Sequence, residues 1–392
     1  MDFEFSSEQK DIARAAREFA EKEFTDRAEE FDREETFDED IFKKAAELGF
    51  VGIFIKEEYG GAGFGILEQC ILQEEFASVD LGIGVAVLTP CFGAEIIQKF
   101  GNEEQKSKYL PPLVTGNAIM GSAFTEPDAG SDLAAACTSA VKDGDFYVIN
   151  GSKMFITNGT RADYLICFVQ TDPENEDKHQ RHSMIIVETD RDGFEANKLR
   201  GKLGIRASDT AEVSFNNVRV PCSNLIGDPN NGFAEAMYLF NLNRIGVAAQ
   251  GVGLARAALQ ESVKHVKKRT TFGAPLASYQ AIQLKIADIY TWMRAGKNMV
   301  HEAAWRIDQN KIDHTLVAAA KAFCGQMVVR CADMALQMHG GYGYLSEYKV
   351  QRIYRDAKII EIYEGTTEIE KMIVARESQS GVGAPPTAIK PL

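Results

Sequence analysis

The sequence predicts an α+β fold in three blocks: a helical N-terminal domain, a middle antiparallel β-barrel or sandwich, and a C-terminal bundle of four main helices. Three observations predict it. An apolar period of 3.6 residues runs from Ser6 to about Leu113, with Ile12, Ala16, Phe19 and Ala20 on one face. Short apolar runs bounded by Gly, Asn and Asp replace it between Gly116 and Asn230. The helical period returns after Gly232 and persists. The expected boundaries are 1–115, 116–230 and 231–376, with a tail over 377–392.

In the first block, Tyr59 to Gly65 is rich enough in glycine to be a loop, and Pro111-Pro112 should end the last helix. In the middle block the strands should cover Phe146–Ile149, Tyr164–Val169, Met184–Val187 and Val213–Val220. Their close spacing, without helices between them, argues against a doubly wound parallel sheet. The last block should hold long helices over Phe233–Lys268, Tyr279–Gln309 and His314–Met338, with a shorter one over Thr367–Ala375. From Ser378 onward the Gly- and Pro-containing tail should be disordered or laid across a neighbouring subunit.

Composition closes off several classes of function. The chain has 392 residues, 45% hydrophobic and 26% charged, as folded globular chains do. Its formal net charge of −14, without a dense basic patch, disfavours nucleic acid and anionic membrane surfaces. No segment reads as a membrane span, and the acidic Met1–Phe5 start lacks a signal or transit pattern, so a cytoplasmic location is expected. Seven scattered cysteines, without a Cys-x-x-Cys pair, suggest reduced thiols and no zinc site.

Three segments carry candidate chemistry. Thr125 to Asp132 offers hydroxyls and free amides suited to a phosphate or the edge of a ring; by itself an ordinary interdomain loop is the commoner outcome. Gln337 to Gly343 is a helix stopping in glycines, which admits a close ligand or merely caps the helix. Neither follows a strand, so neither is a dinucleotide fingerprint. In the third segment, Ile362 to Glu370, Thr367 and Glu370 have capping-box spacing for a helix starting near residue 368. Glu364 then lies on the preceding loop, behind Ile359, Ile360 and Ile362, where it is either a base of raised pKa or a solvated loop residue. His179 to His182 reads as a solvated turn rather than half of a metal site, and no metal ligands are expected.

Taken together and in order, these segments resemble the acyl-CoA dehydrogenase family from Phe3 to about Arg376. Thr125–Asp132 is similar to its first signature, and Gln337–Gly343 with Glu347, Arg352 and Asp356 to its second. Leu48-Gly49-Phe50, Glu58-Tyr59-Gly60-Gly61 and Arg269-Thr270-Thr271-Phe272-Gly273 are family-like as well. The resemblance implies an FAD enzyme that takes a proton from Cα and a hydride from Cβ of an acyl-CoA, butyryl-CoA dehydrogenase-like in substrate length. It implies Glu364 as the base, assisted at the thioester oxygen by its own N–H and a flavin ribityl hydroxyl. Phe124, Thr125, Phe155 and Thr157 should meet the isoalloxazine, and Ser131 the phosphates or CoA. Arg269, Phe272, Gln337 and Gly341 should hold the FAD of a neighbouring subunit, and Thr366 and Glu368 the FAD on the catalytic side.

Sharing of sites implies a homotetramer, a dimer of dimers. Arg244 should lie near the CoA and the base loop, with Tyr363 and Gly365 beside the substrate. Asn243 stands where some relatives keep an alternative base, which leaves Glu364. Val85, Leu88, Thr89 and Cys91 should line the acyl pocket; without an arginine there, a monocarboxylic acyl group is expected, short to medium, branched or alicyclic. Electrons should pass to an electron-transferring flavoprotein. The alternatives are an acyl-CoA oxidase, which such a short chain disfavours, and a non-catalytic acyl-CoA-binding or assembly subunit.

Overall fold

A computed structural model describes residues 4–380. The first third is helical throughout: α1 (Ser7–Phe24), α2 (Ala28–Glu34), α3 (Glu39–Glu47), α4 (Ile66–Val79), α5 (Leu81–Leu88), α6 (Ala94–Phe100) and α7 (Glu103–Val114). Ser6 opens α1 with a reciprocal bond to Gln9, and Ala16, Phe19, Ala20 and Phe24 give it a buried face. Pro111 and Pro112 lie inside α7 rather than after it. They cost the final turn two N–H donors without stopping the chain, which runs on to Val114.

The middle is a single sheet of β1 (Met120–Ala123), β2 (Ser139–Asp143), β3 (Phe146–Thr157), β4 (Tyr164–Gln170), β5 (His182–Glu188), β6 (Phe194–Lys198), β7 (Thr210–Pro221) and β8 (Leu225–Ile226). Its order is β6-β7-β3-β2-β4-β5-β8, with β1 added against β4. The sheet is mixed, not purely antiparallel: β1 and β2 both meet β4 in parallel. His182 corrects a sequence expectation, since it is no solvated turn. It lies fully buried at the start of β5, stacked 4.3 Å from Phe168, with Nε2 2.8 Å from the Ala136 carbonyl.

The last block holds α8 (Gly232–Lys268), α9 (Gln280–Asp308), α10 (His314–His339), α11 (Lys349–Ala357) and α12 (Thr367–Ser380), with a small hairpin of β9 (Thr270–Thr271) and β10 (Ala274–Pro275) after α8. At 37 residues α8 is about 55 Å long. α12 extends past Arg376 to Ser380; the rest of the expected tail lies outside the described residues. Two segments, Leu81–Phe100 and His314–Tyr344, are long and apolar enough by composition to cross a membrane, contrary to expectation. They are 78% and 61% buried inside the protein, as core helices are.

Charged struts join the blocks. The Asp308 carboxylate at the end of α9 accepts from the Ile66 and Leu67 amides at the start of α4, at 2.7 and 3.0 Å. On α11, Arg352 donates to Asp80 at 2.8 Å and Asp356 accepts from the Ile205 amide at 2.7 Å. These two second-signature positions are buried fasteners, tying α11 to the helical third and to the loop before β7.

Candidate active site

The expected base lies on the turn between Glu361 and α12. Glu364 and Gly365 take positive φ, 53° and 98°, so the chain reverses there within two residues. Glu364 pays for a left-handed backbone that side chains rarely adopt. At Gly365 the φ itself favours glycine, and a Cβ there would sit 2.1 Å from Glu370 Oε1, so that buried side chain would have to shift. The cap falls one residue earlier than the sequence suggests: Thr366 Oγ1 accepts from the Ile369 amide at 3.4 Å, and α12 begins at Thr367. Glu370, which the capping-box spacing would turn back towards Thr367, instead points inward and pairs with Arg244 on α8 at 2.9 Å.

Three elements hold this turn. Lys321, fully buried on α10, donates from Nζ to the Gly365 carbonyl. The Tyr363 hydroxyl donates to Gln250 Oε1, and Gln250 Nε2 donates to Gln73 Oε1 at 2.8 Å, linking the loop through α8 to α4. Arg244 Nη1 also donates to Asn241 Oδ1 at 3.3 Å.

Within this frame Glu364 Oε2 is buried without a hydrogen-bond partner. Burial pushes its pKa up to about 7; Arg244 and Lys321 restrain the rise and Glu370 adds to it. Burial also pulls Lys321 down to about 8. A further carboxyl, Glu95 on α6, is raised to about 7 by burial, with a smaller push from Glu364.

Phe124 and Thr125, just after β1, lie against the end of β3 that carries Phe155 and Thr157. The Met154 amide donates to the Thr125 carbonyl at 2.8 Å. Beneath, fully buried Lys153 donates to the carbonyls of Phe124 and Phe168 at 3.0 and 2.6 Å and to Glu126 Oε1 at 2.8 Å. Glu126 accepts in turn from the Cys137 and Thr138 amides; against its burial, Lys153 and these donors bring its pKa down to about 2. Phe155, at φ 63°, leaves its ring 66% exposed. Phe124 does the reverse: its ring packs inward, 5.2 Å from Phe240 and 6.1 Å from Phe168, so it is no exposed wall.

α8 joins the two groups. Phe240 touches Phe124, and Arg244, one turn along the same face, touches Glu370. Of the expected acyl-pocket residues, Thr89 meets the β3 wall, its Oγ1 accepting from Asn158 Nδ2 at 3.3 Å. Val85 is buried and Leu88 half-buried. Cys91 packs its sulfur towards Gly52 in the core of the helical third, not in a pocket with the others.

Arg269, Gln337 and Gly341 come together in a separate cavity of about 440 Å³, which His265 and His339 also line, their rings stacked at 4.2 Å. Phe272 is not among the lining residues; it is 95% exposed at the β9–β10 turn. Ser131 and Glu368 are exposed and join none of these groups. The residues fit the flavin that the resemblance implies. An outward aromatic ring beside hydroxyls suits a planar heterocycle, and a cavity offering a guanidinium, an amide and bare glycines suits a nucleotide. Sequence reasoning missed Lys153, Lys321, Glu370 and Gln250. Lys321 alone left a signal, a lone charge inside the apolar run Val317–Cys324.

The acyl-CoA dehydrogenase N-terminal, middle and C-terminal domain models match residues 6–117, 121–218 and 230–379. An acryloyl-CoA reductase (NADH) of Anaerotignum propionicum is 43% identical over 96% of both chains. A short-chain-specific acyl-CoA dehydrogenase of Clostridium acetobutylicum is 41% identical, covering 96% of this chain and 99% of its own. The structure of butyryl-CoA dehydrogenase from Megasphaera elsdenii superimposes with a TM-score of 0.93 at 37% identity, over 97% of this chain and 100% of that one. Two other matches bear on partner and chain length. One is a caffeyl-CoA reductase–Etf complex subunit of Acetobacterium woodii, 37% identical over 95% of this chain and 98% of its own. The other is a prolyl acyl carrier protein oxidase structure with a TM-score of 0.90 at 29% identity, over 96% of this chain and 100% of that one. An oxidase of this fold therefore exists at this length, and shortness of chain does not argue against oxidase chemistry.

Proposed function

The chain belongs to the acyl-CoA dehydrogenase family, FAD flavoproteins acting on the CH–CH group of acyl-CoA, and from that premise we propose that it interconverts a monocarboxylic acyl-CoA and its 2-enoyl-CoA with Glu364 as the base. The observation that carries this reading is a buried, unpartnered carboxylate oxygen held near neutral pKa on a turn, joined through α8 to the segment that carries Phe124 and Thr125. FAD, when bound, accepts the hydride that leaves Cβ. Everything else falls to the chain. Glu364 takes the Cα proton, and its desolvation keeps it basic enough to do so. Its backbone N–H would help to stabilise the charge gathering on the thioester oxygen. Phe155 and Thr157 would face the ring system, and Arg269, Gln337 and Gly341 the nucleotide half of FAD from a neighbouring subunit.

The acyl class follows from charge. Residues 81–97 contain no Lys or Arg, and Glu95 places a further carboxyl within electrostatic reach of Glu364. A second carboxylate on the substrate would find repulsion there rather than a partner. Short, branched and alicyclic monocarboxylic chains all meet this condition.

The reductase names among the relatives favour a second direction, reduction of a 2-enoyl-CoA, which the same residues serve in reverse. The Etf-complex relative supports electron exchange with an electron-transferring flavoprotein; a homotetramer is the assembly that the family resemblance implies.

An anaerobic titration tests the reading. Bleaching of the oxidised flavin by one monocarboxylic acyl-CoA, with glutaryl-CoA inert, supports dehydrogenation. Re-oxidation of the reduced protein by an enoyl-CoA tests the reverse direction, and turnover with oxygen alone would identify an oxidase. Retention of flavin without a response to any thioester would point to a binding subunit.

A further inference from the structure

We propose that Glu370 is a positioning residue for Glu364: it holds Arg244 as a paired counter-charge and occupies the space that keeps the Gly365 turn open only to glycine. The proposal rests on the reading of Glu364 as the base. Its ground is geometric. Glu370 is fully buried on α12 and lies 2.9 Å from Arg244 Nε. Its Oε1 would stand 2.1 Å from a Cβ at Gly365, the residue after the base, and Arg244 Nε would be 3.6 Å from the same point. Lys321 closes the other side by donating to the Gly365 carbonyl.

Around Glu364 the structure thus assembles two cations and two carboxyls from four helices. The titratable and charged groups facing it are Arg244 from α8, Lys321 from α10, Glu370 from α12 and Glu95 from α6, with Tyr363 beside it in the loop. Glu361 adds its charge near Lys321, and His314 lies within reach of Arg244. Left alone, two cations this close would keep Glu364 ionised far below neutral pH, and a carboxylate so stabilised is a poor base. Glu370, whose own pKa burial raises and Arg244 and Lys321 restrain, offsets part of the pull of Arg244. The proton on Glu364 is then governed chiefly by burial, with Arg244 and Lys321 drawing against it.

The consequence has a sign. Glu370→Gln keeps the shape but removes the negative charge, so Arg244 acts uncompensated and Glu364 holds its proton less tightly. Lys321→Met removes a cation, so Glu364 holds it more tightly. The acid limb of anaerobic flavin reduction at saturating acyl-CoA should move down by about one pH unit in the first variant and up by about one in the second. Glu370→Asp, which keeps the charge, should return the limb towards the parent position. An infrared pH titration of the protonated-carboxyl band, identified by its absence in Glu364→Gln, gives the same midpoints without turnover.

Opposite shifts in the two variants support the proposal. Unmoved midpoints, or midpoints moving the same way, in variants that keep the parent's melting temperature and flavin spectrum, overturn it. Should Glu370→Gln fail to fold, the charge-neutral double variant Arg244→Met/Glu370→Gln decides: a Glu364 infrared midpoint near the parent's supports the pairing, and a shift as large as that of Lys321→Met overturns it. Should Glu364→Gln still reduce flavin, the base reading falls, and the infrared midpoints judge the positioning role by themselves.

Discussion

Glu74 on α4 and Glu364 on the turn before α12 are both carboxylates taken out of water among cations, yet they end on opposite sides of the ordinary range. Glu74 has its partners in contact: His301 Nε2 at 2.6 Å and the Lys297 ammonium at 3.0 Å, with Arg256 donating to its backbone carbonyl. Burial alone would raise its pKa, and these partners bring it down to about 2. Glu364 faces Arg244 and Lys321 as well, but Arg244 is ion-paired with Glu370 and Lys321 donates to the Gly365 carbonyl. Its Oε2 is left without a donor, and burial prevails. The difference teaches that the number of nearby charges does not set the character of a buried acid. What matters is whether those charges touch the acid itself or are engaged with other groups.

The comparison can be broken at either end. The largest effect should come from Glu364→Gln, which removes the base: anaerobic flavin reduction by acyl-CoA should fall by about 10²–10⁴-fold with FAD still bound. Undiminished reduction would end the assignment. Next comes Glu74→Gln, which strands Lys297 and His301 in the interior. It should cost about 3 kcal/mol in denaturant unfolding while leaving the rate per folded molecule unchanged. Because the Glu74 pKa is depressed, its contribution is present above about pH 4.5 and fades as pH falls towards 2, so the penalty should shrink in acid.

The two residues should also pull stability in opposite directions with pH. The Glu364 pKa is raised from 4.5 to about 7, so the native protein loses stability as pH rises through that window. Glu364→Gln should therefore gain roughly 2 kcal/mol over the parent at pH 8 and nothing at pH 4, read from melting curves. Gly365→Ala should cost a similar amount, about 2 kcal/mol, and slow reduction, since both its φ and its Cβ are refused. Smallest is Phe155→Ala, where the loss of one stacked ring should weaken FAD binding by up to about tenfold, measured by titrating the apoprotein with FAD.

Most of the architecture was legible because its period is local. Phe233–Lys268 and His314–Met338 differ from α8 and α10 by a single residue at one end. The missed strands β1, β2, β6 and β8 are short, and β1 is buried at every position, without the alternation that marks a half-exposed strand. The site was legible where residues are consecutive. Glu364, Gly365 and Thr366 stand in one motif, whereas Lys321, Gln250 and Gln73 support the same turn from helices distant in sequence, and only Lys321, a lone charge in an apolar run, is marked by its neighbours. The capping-box reading misled for a related reason. Glu370 has the right spacing from Thr367, but the pull of Arg244 across the interior outweighed a local cap.

α8 carries Phe240, Arg244, Gln250 and Arg256 on one continuous backbone, each engaged with a different part of the molecule, and its C-terminal turn supplies His265 to the nucleotide-sized cavity. A helix used this way behaves as a camshaft, with its lobes fixed in angle by 100° per residue. Inserting or deleting one residue midway would turn every later lobe away from its follower. Chimeras between relatives should therefore tolerate a crossover near Asn230-Asn231, ahead of the helix, and fail with one inside it unless the helix length is kept to the residue.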